Sequence, residues 1–82
     1  MGVRYPLLSE KSVNLIEKEN KLIFVVDKSS TKAEIKKEIE ELYNVKVADV
    51  QTSINMKGEK RAFVKLIGEN AASDLATKLN II

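Results

Sequence analysis

The chain has 82 residues, 44% hydrophobic and 32% charged, the composition of a folded domain with a thin core and not of a disordered tail. It contains no cysteine and no histidine, which excludes disulfides, thiolate chemistry, imidazole bases and the usual zinc ligands. A net charge of +2 and a pI near 8.9 are only mildly basic, so a polyanion partner has to be read from the distribution of charge, not its sum.

In chain order, Val3 to Leu7 can form a short edge strand. After Pro6, Ser9 is placed to cap a helix running to about Glu19, with Val13 and Ile16 on one face and Asn20 near its end. Lys21 to Asp27 reads as a strand, since Leu22, Ile23, Phe24, Val25 and Val26 are β-formers too few for a buried helix. Both faces of that strand are apolar, which predicts an interior position or a covering element on each side.

Thr31 and Glu34 have capping-box spacing, and Ile35, Ile39, Leu42 and Tyr43 follow as the apolar stripe of a helix that Asn44 can close. Val45 and Val47 precede an opposite-parity set of Val50, Thr52 and Ile54, so a bulge or a late strand start is expected near Ala48 and Asp49. Asn55 to Glu59, with Gly58, turns the chain into a second strand with Ala62, Val64 and Leu66 on one face and Phe63, Lys65 and Ile67 on the other. Gly68 ends it. Asn70 is the expected cap of a last helix whose stripe is Ala72, Leu75, Ala76 and Leu79.

This order predicts an α+β fold over a single domain, residues 1–82. A short N-terminal helix precedes a βαββα core whose helices pack on an antiparallel sheet of three strands, or four with the N-terminal edge strand. A right-handed crossover leaves the last strand between the first two, giving core order 2-3-1. The longest unbroken apolar run, Leu22 to Val26, is far short of the roughly 20 residues that cross a bilayer. With no cleavable leader in view, the expectation is a soluble, cytoplasmic protein without membrane insertion.

Two charge patterns break local rules. In the helix after Thr31, Lys32, Lys36 and Lys37 precede Glu38, Glu40 and Glu41, the reverse of what the helix dipole favours. One reading is a phosphate on the free N–H groups at the helix start, with Lys28, Ser29, Ser30 and Thr31 leading into it and the acidic half turned away; the plain alternative is a solvated face of mixed charge. The second pattern is Lys57, Lys60, Arg61 and Lys65 around the hairpin, opposed by Glu59. Its plain alternative is protection of an exposed strand edge. All but two of the fourteen basic residues are lysines, which suit phosphates better than base edges. Catalysis is not expected: Glu34 and Glu38 lie one helical turn apart, but an acid/base pair also needs a cleft and unequal environments. No phosphate loop, calcium loop or cofactor motif is present.

Pro6-Leu7-Leu8-Ser9-Glu10-Lys11, Ser30-Thr31-Lys32-Ala33-Glu34-Ile35-Lys36 and Gly58-Glu59-Lys60-Arg61-Ala62-Phe63-Val64-Lys65-Leu66 resemble, in order and over nearly the whole chain, three segments of the ribosomal proteins at position twenty-three of the large subunit. Gln51 and Ile67 depart from that pattern. The resemblance implies a structural protein bound to large-subunit ribosomal RNA, with neighbouring ribosomal proteins beside the nascent-chain tunnel exit. Together with the two basic segments and the helix start, it points to RNA contacts through Arg4, Lys11, Lys28, Ser30, Thr31, Lys32, Lys36, Lys57, Lys60, Arg61 and Lys65. It also implies that the short Asn55 to Lys60 turn is of archaeal or eukaryotic-core type, another small protein filling the space of the longer bacterial extension. Glu10 matches a glutamate that bacterial relatives present to a chaperone, so it is expected to dock a targeting factor, the signal recognition particle being the leading candidate. An RNA-recognition motif fits less well, because Arg61 and Leu66 stand where stacking aromatics would be needed. A ferredoxin-like ligand-binding or protein-interaction domain would share the element order without needing a basic surface.

Overall fold

The computed structural model describes residues 2–79. Its elements are β1 (Val3–Pro6), α1 (Glu10–Glu19), β2 (Lys21–Val26), α2 (Lys32–Tyr43), β3 (Val47–Ile54), β4 (Lys60–Leu66) and α3 (Ala71–Lys78). The first two helices start where a small hydroxyl residue in extended conformation takes up a free amide. Ser12 N donates to Ser9 Oγ and Ser9 N to Ser12 Oγ, while Glu34 N donates to Thr31 Oγ1 and Thr31 N to Glu34 Oε1. Both helices end on an asparagine in the left-handed region, Asn20 at φ 57 and Asn44 at φ 54, the non-glycine residue that tolerates this best.

The third helix begins differently from expectation. Asn70 occupies the cap position, but at φ 58 its side chain makes no capping bond, because capping needs an extended backbone there. Ala72 N donates instead to Asn20 Oδ1 at 2.8 Å, and Asn20 Nδ2 donates to Leu66 O and Gly68 O, both at 2.9 Å. One asparagine thus ties the end of α1 to the end of β4 and the start of α3.

The sheet is antiparallel throughout, in the order β1-β2-β4-β3. β2 therefore lies between two strands, which accounts for its five consecutive apolar residues. The register shift between Val47 and Asp49 is the bulge anticipated from the change of phase. In the β3–β4 hairpin, Gly58 N donates to Asn55 O and Asn55 N to Glu59 O. Gly58 sits at φ 82, where the bulged turn needs a residue without a Cβ.

Register assigns the two faces. Leu22 opposes Val64, Phe24 opposes Ala62 and Val50 opposes Val64; these side chains join Ile16, Ile35, Ile39, Ala72, Leu75 and Ala76 in one core. Phe24 is fully enclosed and stacks on Tyr43 with ring centroids 5.8 Å apart. Burial, and then the charge of Glu38, raises the Tyr43 phenol above its usual range. Leu42, expected in the α2 stripe, is 50% exposed: α2 packs along the row Ile35, Ile39, Tyr43, and the i+3 position rotates outward. On the opposite face of the sheet, outside this core, Tyr5, Val25, Arg61 and Ser53 form one cross-strand row, followed by Ile23, Phe63 and Gln51, then Lys21, Lys65 and Asp49.

Candidate nucleic-acid interface

The inverted charge of α2 has a tertiary cause. Glu38 accepts from two backbone amides at the start of β1, Gly2 N at 2.9 Å and Val3 N at 2.8 Å. Glu40 accepts from Val47 N at 2.9 Å, at the start of β3. The acidic half of the helix thus fastens a strand on either side of it, satisfying amides that would otherwise lack partners.

At the start of α2 one of the amides expected for a phosphate, that of Glu34, is taken by the Thr31 hydroxyl. The Glu34 carboxylate already lies there. The bond from the Thr31 backbone and then that from its side chain hold the Glu34 acid below the usual carboxylate range, with Lys60 adding to the effect and a small burial penalty opposing it. The Thr31 hydroxyl is engaged with Glu34 N. Ser30 is buried, its hydroxyl so close beneath Gly2 that a Cβ on that glycine would collide with it. Ser30 therefore shapes the loop from a buried position, while Thr31 stays on the surface as the cap of α2.

Lys60 also differs from expectation. In register with Val26 and Ile54, it points to the helix side of the sheet, and its ammonium donates to Ser30 O at 2.6 Å and Lys28 O at 3.3 Å. It struts the β2–α2 loop against the hairpin. Lys28 projects back to the same hairpin, where a Cβ on Gly58 would stand 3.0 Å from its Nζ. Arg4, Lys28, Lys57 and Lys60 consequently line one cleft with Tyr5 and Glu59. Within it Arg4 pairs with Asp27 at 2.6 Å; neither Lys28 nor Lys57 has an ion pair among the described residues.

The other basic residues fall on two further surfaces. Lys32 and Lys36 flank a groove between α2 and β3 that also contains Asp49. Arg61 and Lys65 project from β4 on the open face, where the Lys11 ammonium lies 5.8 Å from the centre of the Phe63 ring. Because β4 is bonded to a strand on each side, its basic residues cannot be guarding a sheet edge, and that explanation of the hairpin charges is removed. Glu10 is exposed as the first residue of α1, beside the Ser9 cap.

Two residues absent from the expected set belong to this surface, Tyr5 and Phe63. The alternation Arg61, Phe63, Lys65 already carried the signal for Phe63. Tyr5 depends on the pairing of β1 with β2, fixed by Leu7 N donating to Ile23 O and Asp27 N to Gly2 O, with an irregularity between Val3 and Tyr5. Among the described residues there is no metal-binding cluster and no helix long and apolar enough to span a membrane. Glu34 and Glu38, the carboxylates weighed above as an acid/base pair, are both engaged with backbone amides. What the arrangement provides is cations and ring faces on one surface.

Comparison with known proteins agrees with this architecture. The family model described as Ribosomal protein L23 matches residues 2–78. Large ribosomal subunit protein uL23 of Pyrobaculum aerophilum is 49% identical over 76 residues, covering 93% of this chain and 94% of the relative. The proteins of the same name from Methanococcus aeolicus and Methanococcus vannielii are each 44% identical over 79 residues, covering 96% of this chain and 92% of theirs. With a family match over almost its full length and relatives this close, the chain belongs to the ribosomal protein L23 family.

Proposed function

We propose that this protein, acting as one domain over residues 1–82, binds large-subunit ribosomal RNA near the nascent-chain tunnel exit. Membership of the family makes it a structural, non-enzymatic constituent of the large ribosomal subunit, and hence cytoplasmic. The observation that carries the RNA reading is the convergence of Lys28 and Lys57, distant in sequence, on one cleft beside a face bearing Arg61 and Lys65. Lysines without acidic partners suit phosphates, and each phosphate neutralised releases counterions.

Replacing Lys28, Lys57 and Lys65 together by alanine tests this. Binding to large-subunit RNA is expected to weaken and the slope of log affinity against log salt to flatten by about 2 to 3. An unchanged slope in a folded variant refutes the assignment, and a wild-type affinity indifferent to salt favours a ferredoxin-like interaction domain without RNA. Neighbouring proteins have a foothold at the hairpin, where Ile54 is 61% exposed and Met56 fully so; a small protein packed against this short turn is part of the proposal.

Glu10 is proposed as a docking residue for a targeting factor, the signal recognition particle first. Glu10→Lys reverses a charge at an exposed helix start, at an expected cost on the order of 1 kcal/mol. It should leave fold and subunit incorporation intact and weaken binding of the particle to purified ribosomes. Equal affinity would reduce Glu10 to a residue favoured by the helix dipole.

A further inference from the structure

We propose that the ring of Tyr5, across Val25 from Arg61 and sharing the Glu59 carboxylate with it, seats one unstacked base of the ribosomal RNA, an inference that rests on the RNA reading above and gives the cleft its ligand. Tyr5 and Arg61 occupy the same cross-strand row, with Val25 between them. Val25 is 2% exposed although it faces away from the helices, and the side chains that flank it in the row are those of Tyr5 and Arg61. Both of those side chains meet the same carboxylate: Arg61 Nε donates to Glu59 Oε1 at 3.2 Å, and the Tyr5 hydroxyl lies 3.5 Å from Glu59 Oε2. A phenol and a guanidinium are thereby oriented by one acidic group, while Tyr5 stays 49% exposed.

The pairing with Glu59 decides what Arg61 does. A guanidinium that shares its charge with a carboxylate is a poor counterion for phosphate, which leaves the exposed ring of Tyr5 as the surface suited to stacking a base. The charge for the flanking phosphates is adjacent: Tyr5 lines the same cleft as Lys28 and Lys57, which have no ion pair among the described residues. The two acids of the cleft, Asp27 and Glu59, are paired with Arg4 and Arg61. A ring face with an unopposed cation on its flank fits a nucleotide, base on Tyr5 and phosphate on the lysines, better than an apolar or basic peptide. The recognition is of a π face and carries no base identity.

The test uses the full-length protein and purified large-subunit RNA, with Tyr5→Ala, Tyr5→Leu and Tyr5→Phe. Tyr5→Leu retains an apolar side chain next to Val25 in the row without a π face; Tyr5→Phe keeps the ring and loses the hydroxyl. Alanine and leucine are both expected to lower affinity roughly 5- to 150-fold with no change in salt slope, and phenylalanine to stay within about twofold of wild type. Ultraviolet cross-linking of the wild-type complex should attach a single nucleotide to the peptide carrying Tyr5. Wild-type affinity in Tyr5→Leu, or a loss in Tyr5→Phe equal to that in Tyr5→Ala, overturns the stacking seat. In either case a flattened salt slope in the triple lysine variant leaves the RNA reading standing; a wild-type protein that binds an acidic polypeptide and no RNA overturns both.

Discussion

Changing Glu38 to lysine separates local from tertiary explanations of the α2 charge pattern, because they predict opposite signs. If only the helix dipole mattered, a lysine in the second half of α2 would be neutral or stabilising by up to about 0.3 to 1 kcal/mol, towards the lower end this far from the last turn. The structure gives Glu38 two bonds from backbone amides at 2.8 and 2.9 Å. Bonds to a charged acceptor contribute about 1.5 to 3 kcal/mol each, a figure to be roughly halved for a partly exposed site screened by water. The two together then amount to about 2 to 3 kcal/mol, and the net effect of Glu38→Lys is a loss of about 1 to 3 kcal/mol. In a domain of this size that lowers the melting temperature by about 5 to 20 °C. Thermal and urea unfolding followed by circular dichroism measure it, with Glu38→Gln, which keeps one acceptor oxygen, expected between the two. A Glu38→Lys protein as stable as wild type, or more so, would show that β1 is held by other means.

Phe24→Ala removes a fully enclosed ring and its stack on Tyr43; urea unfolding should show a loss of about 3 to 5 kcal/mol, and a variant that unfolds like the parent would contradict the core assignment. Glu34 has a folded-state acidity greater than in the unfolded chain, so its contribution is present above the ordinary glutamate range and disappears as the pH falls through the folded value. The stability difference between wild type and Glu34→Gln, followed from about pH 7 to about pH 3, should therefore shrink towards zero; a difference that grows in acid would reverse the sign.

Features carried by contiguous residues were legible in the sequence. The capping box of Thr31 and Glu34, the shift of phase before Val50, the alternation from Ala62 to Ile67 and the doubly apolar β2 each follow from a backbone period or a three-residue spacing. What lay beyond reach was the use of charge across elements. Nothing near Glu38 in sequence indicates that its carboxylate meets Gly2 and Val3, and nothing near Lys60 indicates that it turns inward to loop carbonyls. Asn20 looks like a helix end, yet its side chain caps a helix some fifty residues later. The candidate interface was half legible for the same reason: Lys28 and Lys57 could be named as cations, but their meeting beside Tyr5 is a product of sheet pairing.

The position of β4 bears on how binding and folding are related. Its backbone is bonded to β2 along one side and to β3 along the other, so opening it breaks both ladders at once, and its amides should exchange with solvent among the slowest in the chain. Arg61, Phe63 and Lys65 are rooted in that strand. Their directions are therefore set before any partner arrives, and association need not order the backbone beneath them, a cost of about 1 to 2 kcal/mol per residue for a flexible segment. The hairpin tip around Met56, bonded only to itself, is where a partner would still have motion to remove.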